Sequence, residues 1–191
     1  MARQPGRPLR VDAQRNRDKI LTTAVRVFTE EGLNAHFERI AKEAGVGTGT
    51  LYRNFPTREI LIEAAYRNEV ARLCDAGPDL LAKMPPREAL RAWMSRFLDY
   101  VTAKHGMADA LRAVIASGGD PHGNTRDMML ETLASLRQAG VEAGTIRADI
   151  SATDMLANLT GIALASGKPE QRDQAERLIA LALDGMTTGR H

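Results

Sequence analysis

Cysteine, aromatic side chains and long apolar runs are scarce in this chain of 191 residues. Its one cysteine, Cys74, excludes an internal disulfide framework and is expected to be inert and partly buried, with a redox-sensing thiol as the alternative. No apolar run approaches the roughly 20 residues that cross a bilayer. The basic N-terminus lacks the apolar core of a signal peptide, so a cytoplasmic location is expected.

Signatures of enzymes and metal sites are missing as well. The sequence has no phosphate-binding loop, no nucleophile elbow and no His/Cys cluster with metal-ligand spacing. The four histidines are scattered without an i, i+4 pair, at His36, His105, His122 and His191. These patterns predict a protein that is not an enzyme and that uses no metal or cofactor.

The charge of the chain is unevenly distributed. Hydrophobic residues at 43% and charged residues at 26% are typical of a globular protein. Residues 1–58 contain 11 lysines or arginines against 6 acidic residues, whereas residues 59–191 contain 15 against 18. Positive charge gathered in the first third of the chain indicates a surface that approaches phosphates.

Residues 40–55, IAKEAGVGTGTLYRNF, have the spacing of a helix-turn-helix motif. The predicted helices span residues 37–44 and 48–54. Ala41 is small enough for the helices to meet closely, Gly45 allows the chain to reverse with a positive φ, and Leu51 is placed to pack back on the first helix. The second helix then offers hydroxyl, amide and guanidinium groups suited to phosphates and base edges. The glycine turn alone also fits an ordinary helical hairpin whose polar residues face water.

Two flanking segments decide between these interpretations. Residues 51–61, LYRNFPTREIL, resemble the end of the DNA-binding domain of TetR-family transcriptional repressors, and residues 20–32 resemble the first helix of that domain. The resemblance covers about residues 15–66. It implies an all-α fold of about nine helices, with an N-terminal three-helix helix-turn-helix domain and a C-terminal helical domain for ligand binding and dimerisation.

The resemblance also implies a set of residues that contact DNA. Gly47, Thr48, Gly49 and Asn54 would face the major groove, whereas hydroxyl and cationic groups nearby would grip phosphates. An amide such as that of Asn54 can pair bidentately with adenine. The predicted contacts are Arg39, Gly47, Thr48, Gly49, Thr50, Tyr52, Arg53, Asn54 and Arg58.

Three features of this sequence qualify that set. Two glycines flank Thr48 and leave few long side chains for base edges, so shape readout is expected to contribute. His36 and Phe37 stand where the family usually has small or hydroxyl residues, which weakens the expectation of phosphate contacts there. Arg39 is either a phosphate contact or an exposed charge.

The predicted segments follow breaks in the helical pattern. A flexible basic arm (1–11), able to reach along the DNA, precedes the helix-turn-helix domain (12–56), whose first helix Asp12 would cap. A connecting helix (57–75), capped by Thr57, ends at about Leu73, and the boundary lies at Ala76-Gly77-Pro78. Residues 76–191 form the regulatory and dimerisation domain.

A small-molecule pocket is expected in the C-terminal domain because of the family resemblance. Taken residue by residue, the apolar side chains are better explained as core than as a pocket lining. If the pocket exists, the few aromatics favour an aliphatic or mixed ligand. His105, Arg112 and His122 are polar anchors or surface residues. The predicted lining is Trp93, Phe97, Tyr100, Met107, Leu111, Met128 and Met129.

The last two predicted helices have more apolar surface than one small domain needs. Gly161 and Ala165 would let helices approach closely, and the resemblance implies a four-helix bundle with a second copy. The final helix is predicted over about 170–183. The predicted dimer residues are Met155, Leu159, Ile162, Ala163, Leu178, Ile179, Ala182 and Met186.

These features together predict a homodimeric repressor that a small molecule releases from an inverted-repeat operator in double-stranded DNA. One alternative is a regulator of the same fold that is constitutive or controlled by a protein partner. Another is a helical enzyme or carrier whose basic head is incidental. The helical pattern leaves the ligand, the operator sequence and the direction of regulation open.

Overall fold

The protein is all-helical in the computed structural model, which describes residues 7–166 and 169–187. Within those ranges no strand occurs, and two short 3₁₀ turns accompany the helices. None of the described helices is long and apolar enough to cross a membrane. The described residues form nine α-helices, which confirm the predicted fold class: α1 Arg7–Glu31, α2 Phe37–Ala44, α3 Thr48–Asn54, α4 Arg58–Leu81, α5 Pro86–Gly106, α6 Ala108–Ala116, α7 Thr125–Glu142, α8 Ala152–Ser166 and α9 Arg172–Met186.

The helices form two compact units. We call residues 1–68 and 103–121 the head unit, and residues 69–102 and 122–191 the body unit. This division falls inside α4, whereas the predicted boundary lies at 76. Helix α4 does not end at about Leu73, as predicted, but continues through Gly77 and Pro78 to Leu81. Gly77 is buried against Thr132, where an added Cβ would lie 2.5 Å from Cγ2. That close packing keeps the segment helical although Pro78 lacks an N–H.

The helix-turn-helix of the head unit has the predicted bounds for both helices. Gly45 ends α2 in the left-handed conformation, with φ +69°, which glycine adopts without a side-chain clash. The N–H of Val46 donates to the carbonyl of Ala41 at 3.0 Å and closes the turn. Leu51 and Phe55 are fully buried, so α3 is held by its apolar side and presents its polar side to solvent.

The first helix begins earlier than predicted. Residues 1–6 of the predicted arm lie outside the described residues, whereas the backbone of residues 7–11 already belongs to α1. Asp12 is therefore not an N-cap. It lies inside the helix, 3.9 Å from Arg15 one turn later.

Helix α6 packs within the head unit. Gly106, at the end of α5, approaches Thr29 of α1 so closely that a Cβ there would collide with the threonine side chain. Arg67 of α4 donates to the carbonyl of Asp120 at 2.9 Å. These contacts join the segment after α5 to α1 and to the first half of α4.

In the body unit, α8 packs against both α7 and α9. Trp93 is fully buried and donates its ring N–H to the carbonyl of Leu73 at 2.8 Å. Ser151 and Asp154 form a capping box at the start of α8, with each backbone N–H bonded to the other side chain at 3.0 and 3.1 Å. Helix α9 begins at Arg172 after a 3₁₀ turn and ends at Met186, slightly later than predicted. Burial raises the pKa of the Cys74 thiol, which disfavours the reactive thiolate.

Candidate nucleic-acid interface

Helix α3 presents a polar outward side. At 100° per residue, Gly49 and Arg53 both lie about 160° around the helix axis from Leu51, the residue that anchors α3 to the core. Leu51 is fully buried, whereas Gly49 and Arg53 are exposed. The two therefore define the side of α3 that an approaching molecule meets first.

Two side chains of α3 bond back to their own helix. Arg53 donates from Nε to the carbonyl of Gly49 and from Nη2 to Oγ1 of Thr50, both at 3.2 Å. Asn54 donates from its amide to the carbonyl of Thr50 at 2.8 Å. The longer Arg53 bonds, both to neutral oxygens, are the weaker ones and the easier to exchange for an external acceptor.

Tyr52 has structural support that the sequence did not suggest. Its side of α3 faces the start of α2, where the Phe37 ring lies 5.1 Å from the Tyr52 ring at 37°. Phe37 is buried, whereas Tyr52 is 45% exposed, so the stack holds the tyrosine ring while leaving it accessible. Position 37, where a small or hydroxyl residue was expected, thus carries an aromatic ring that supports the neighbouring helix α3.

Arg39 is engaged inside the head unit. Its Nε donates to Glu43 at 2.7 Å, and its two terminal nitrogens donate to Glu30 and Glu31. Arg26 bonds to Glu30 and Glu43 from the opposite side. The arginines lower the pKa of Glu30, chiefly through Arg26, and that of Glu43, chiefly through Arg39. Because all three of its nitrogens are used, Arg39 is better explained as a brace between α1 and α2 than as the predicted phosphate contact.

Arg58 is also committed to the fold. Its guanidinium donates to the carbonyl of Ala35 and lies 5.7 Å above the Phe28 ring. Both partners belong to the head unit, so this cation links the start of α4 to α1 and to the segment before α2. The remaining members of the predicted set, Gly47, Thr48, Gly49, Thr50, Tyr52, Arg53 and Asn54, share the short segment that includes α3.

The predicted pocket residues do not share one unit. Met107 and Leu111 belong to the head unit, whereas the other five belong to the body unit. Trp93 is 0% exposed and Phe97 4%, with ring centroids 6.1 Å apart, which is core packing. Met129 is also buried. The remaining members, Tyr100 and Met128, each line one of two grooves.

Both grooves lie in the body unit, and the surface of the larger is mainly polar whereas that of the smaller is mainly apolar. The larger, about 450 Å³, runs between α4 and α5 and is lined by Glu69, Arg72, Leu73, Asp75, Ala76, Asp79, Arg96, Asp99 and Tyr100. The smaller, about 320 Å³, runs between α4 and α7 and is lined by Cys74, Asp75, Gly77, Pro78, Met128, Glu131, Thr132 and Ser135. The predicted anchors His105, Arg112 and His122 are not among these linings. No group of three or more metal-ligating side chains occurs in residues 7–166 and 169–187.

The exposed apolar face of α8 and α9 differs from the predicted one. Within the single chain, six of the eight predicted dimer residues are already buried, namely Met155, Leu159, Ile162, Ala163, Ile179 and Met186, and Leu178 and Ala182 are half-buried. The outward side instead carries Leu164, which is 77% exposed, and Leu181, which is 70% exposed. Spacing of i, i+3, i+4 and i+7 places Ala157, Thr160, Gly161 and Leu164 on one exposed stripe of α8. The sequence does contain a signal for this face, because Leu164 and Leu181 fall outside the longer apolar stripe that packs inward.

Both halves of the chain match known families. Residues 20–65 match the model of bacterial regulatory proteins of the tetR family, and residues 85–188 match the C-terminal domain of SbtR-like transcriptional regulators. Over 54 residues the chain is 48% identical to an HTH-type transcriptional regulator of Staphylococcus aureus, an overlap of 28% of this chain and 29% of that one. The match to such curated relatives therefore spans less than a third of their length.

Solved structures extend the similarity to nearly the whole chain. The TetR transcriptional regulator SCO0520 from Streptomyces coelicolor has a TM-score of 0.88 and 68% identity, with 91% of this chain and 99% of that chain covered. The TetR transcription regulatory protein from Mycobacterium vanbaalenii has a TM-score of 0.78 and 35% identity, with coverage of 95% and 100%. The chain therefore belongs to the TetR family of DNA-binding transcriptional regulators.

Proposed function

We propose that this protein is a homodimeric repressor that binds an inverted-repeat operator through α3 and leaves it when a small molecule binds. The observation that carries the proposal is the outward side of α3, which is exposed and polar while Leu51 on the opposite side is fully buried. A helix anchored in this way can enter a major groove without unfolding its own domain.

Hydroxyl groups on α3 supply the proposed phosphate contacts. Tyr52 is exposed and braced by Phe37, and Thr50 is half-buried beside Arg53. Arg39 and Arg58 contribute indirectly, because they hold α1, α2 and α4 around the motif. Phosphate contacts of this kind position the protein on DNA without reading the sequence.

The outward side of α8 and α9 is the proposed dimer surface. Leu164 and Leu181 expose large apolar side chains beside the small residues Ala157 and Gly161, which allow helices of a second copy to approach closely. A two-fold axis through this surface would relate two copies of α3. The operator would then be an inverted repeat with half-sites about one helical turn apart.

The body unit contains the proposed ligand site. A groove of about 450 Å³ is large enough for a small molecule. Its lining includes Arg72, Arg96 and several carboxylates, which favours a ligand with polar or charged groups over the aliphatic one suggested by composition. Because α4 runs from the motif into this unit, it is the proposed route of coupling, which needs only about 1–3 kcal/mol.

The first experiment is binding of the purified protein to fragments of its own genome, followed by sequencing of the retained DNA. Recovery of a short inverted repeat, with affinity that falls steeply as salt rises, is the expected result. The experiment is repeated with protein that has been denatured and refolded, which removes any co-purified inducer. If this protein also enriches no DNA sequence, the proposal is refuted. A small molecule that raises the protein's midpoint of thermal unfolding and also releases the protein from the operator would favour the ligand-controlled repressor over the constitutive alternative.

A further inference from the structure

The arginines of the head unit differ in what neutralises them. Arg26 and Arg39 are bonded to glutamates, and Arg15 lies near Asp12. Arg17 lies 4.7 Å from the centre of the Phe55 ring. In the described part of the chain, no carboxylate lies within ion-pair distance of Arg53, whose bonds go to two neutral oxygens of α3. Arg53 therefore keeps an uncompensated charge on the exposed side of the helix.

The outward side of α3 offers little besides that guanidinium. Gly49 shares this side and has no side chain, and a Cβ built there would have no neighbour within 4 Å. Thr48 is short and exposed. Because Arg53 extends from the same side, its guanidinium is the first group long enough to meet a base edge in a groove.

Asn54 is less suited to base reading than its amide suggested. It lies only about 60° around the helix axis from the buried Leu51, so it occupies the flank of α3. Its amide nitrogen is bonded to the carbonyl of Thr50 at 2.8 Å, which stabilises the end of a helix of seven residues. The bond uses one of the two N–H groups of the amide and restricts the directions in which the rest of the amide can point.

We infer that Arg53 is the specificity-determining residue of α3 and reads a guanine in each half-site, whereas Asn54 stabilises the helix end. This inference rests on the proposed function. Guanine offers O6 and N7 side by side in the major groove, and the two acceptors match the fork of an arginine. The 3.2 Å bonds to Gly49 and Thr50 hold the guanidinium along the outward side before DNA arrives.

The test selects DNA from a random pool with four full-length proteins: wild type, Arg53→Ala, Arg53→Lys and Asn54→Ala. Arg53→Lys keeps the charge but loses the fork, and Asn54→Ala is the matched control on the adjacent position. Circular dichroism and thermal unfolding confirm that each variant is folded. Affinity is then measured for the selected operator and for random DNA at several salt concentrations.

We expect the wild type to select a fixed guanine in each half-site, Arg53→Ala to lose that preference while keeping the rest of the motif, and Arg53→Lys to retain a weaker preference. Operator affinity should fall about 10- to 100-fold in Arg53→Ala, whereas affinity for random DNA should fall only about 2- to 3-fold. Selection of the same guanine by Arg53→Ala as strongly as by the wild type, or loss of that guanine in Asn54→Ala but not in Arg53→Ala, would overturn the inference while leaving the proposed function intact. A wild type that selects no motif would instead refute the proposed function, and the inference with it.

Discussion

The outward sides of α3 and of the α8–α9 pair are built on the same plan with opposite chemistry. Each helix buries an apolar stripe, which includes Leu51 on α3 and Leu159 on α8. Outside that stripe α3 exposes glycine, hydroxyl and guanidinium groups, whereas α8 and α9 expose Leu164 and Leu181 at 77% and 70%. The buried side holds the fold, so the type of partner depends on the exposed side alone.

This comparison explains why one surface suits a polyanion and the other suits a second protein copy. Polar groups on α3 lose little by facing water and gain charge-assisted bonds when they meet phosphates or guanine. Covering the exposed leucines of α8 and α9 with an apolar partner is favourable, because it removes apolar surface from water.

The largest effect is expected from a charge on the α8–α9 surface. Leu164→Glu should convert the proposed dimer to a monomer and weaken binding to the inverted repeat at least about 100-fold, because burying a carboxylate in an apolar interface is strongly unfavourable. Sedimentation measures the first effect and a DNA titration the second. Ile115→Glu, at a 49%-exposed apolar position of α6, is the matched control and should remain dimeric. A dimeric Leu164→Glu protein would place the interface elsewhere.

Mutations on the buried side of α8 should affect stability in a different way from mutations on its exposed side. Leu159→Ala removes a fully buried side chain and should lower the free energy of unfolding by about 2–4 kcal/mol at every protein concentration. Leu164→Ala should have an effect that grows as the protein is diluted, because it acts on association. Denaturant unfolding at two concentrations distinguishes them. Equal concentration dependence for both variants would contradict the assignment of inner and outer sides.

A smaller effect on DNA binding is expected from mutations in the Phe37–Tyr52 ring stack that supports α3. Tyr52→Phe keeps the ring stack but loses the hydroxyl, whereas Phe37→Ala keeps the hydroxyl but loses the stack at 5.1 Å. Each should weaken binding about 3- to 10-fold on operator and random DNA alike, since phosphate contacts carry no sequence information. The double variant should lose less than the product of the two single losses. An effect confined to operator DNA would assign Tyr52 to base reading instead.

The smallest effect is expected from the ion pairs around Arg39, and it depends on pH. In the folded protein the arginines hold the pKa of Glu30 and Glu43 below the usual 4.5, so these carboxylates stabilise the fold above that pH. The stabilisation is lost as pH falls from about 4.5 through the lowered values. Arg39→Gln should therefore lower the thermal midpoint at pH 7, and the difference from wild type should shrink below pH 4.5. A difference that grows on acidification would exclude this origin.

The helix-turn-helix was predictable because its signals are local. Gly45 permits the left-handed turn, and the small Ala41 and the buried Leu51 mark the contact between two short helices, whose bounds were correct. The ends of longer helices were less predictable. Gly77 and Pro78 indicate a break, but packing of Gly77 against Thr132 keeps α4 helical, and no local pattern shows such a contact.

The sequence by itself determined the all-α class, the motif and the gathering of basic residues in the first third of the chain, because period, glycine position and charge are properties of short segments. Only the tertiary structure decided which side of each helix is free. It buried six of the eight residues predicted for the dimer surface, paired Arg39 with three glutamates and left Arg53 exposed on α3. Exposure and pairing depend on neighbours distant in sequence, and a pattern of residue types does not specify which neighbour arrives.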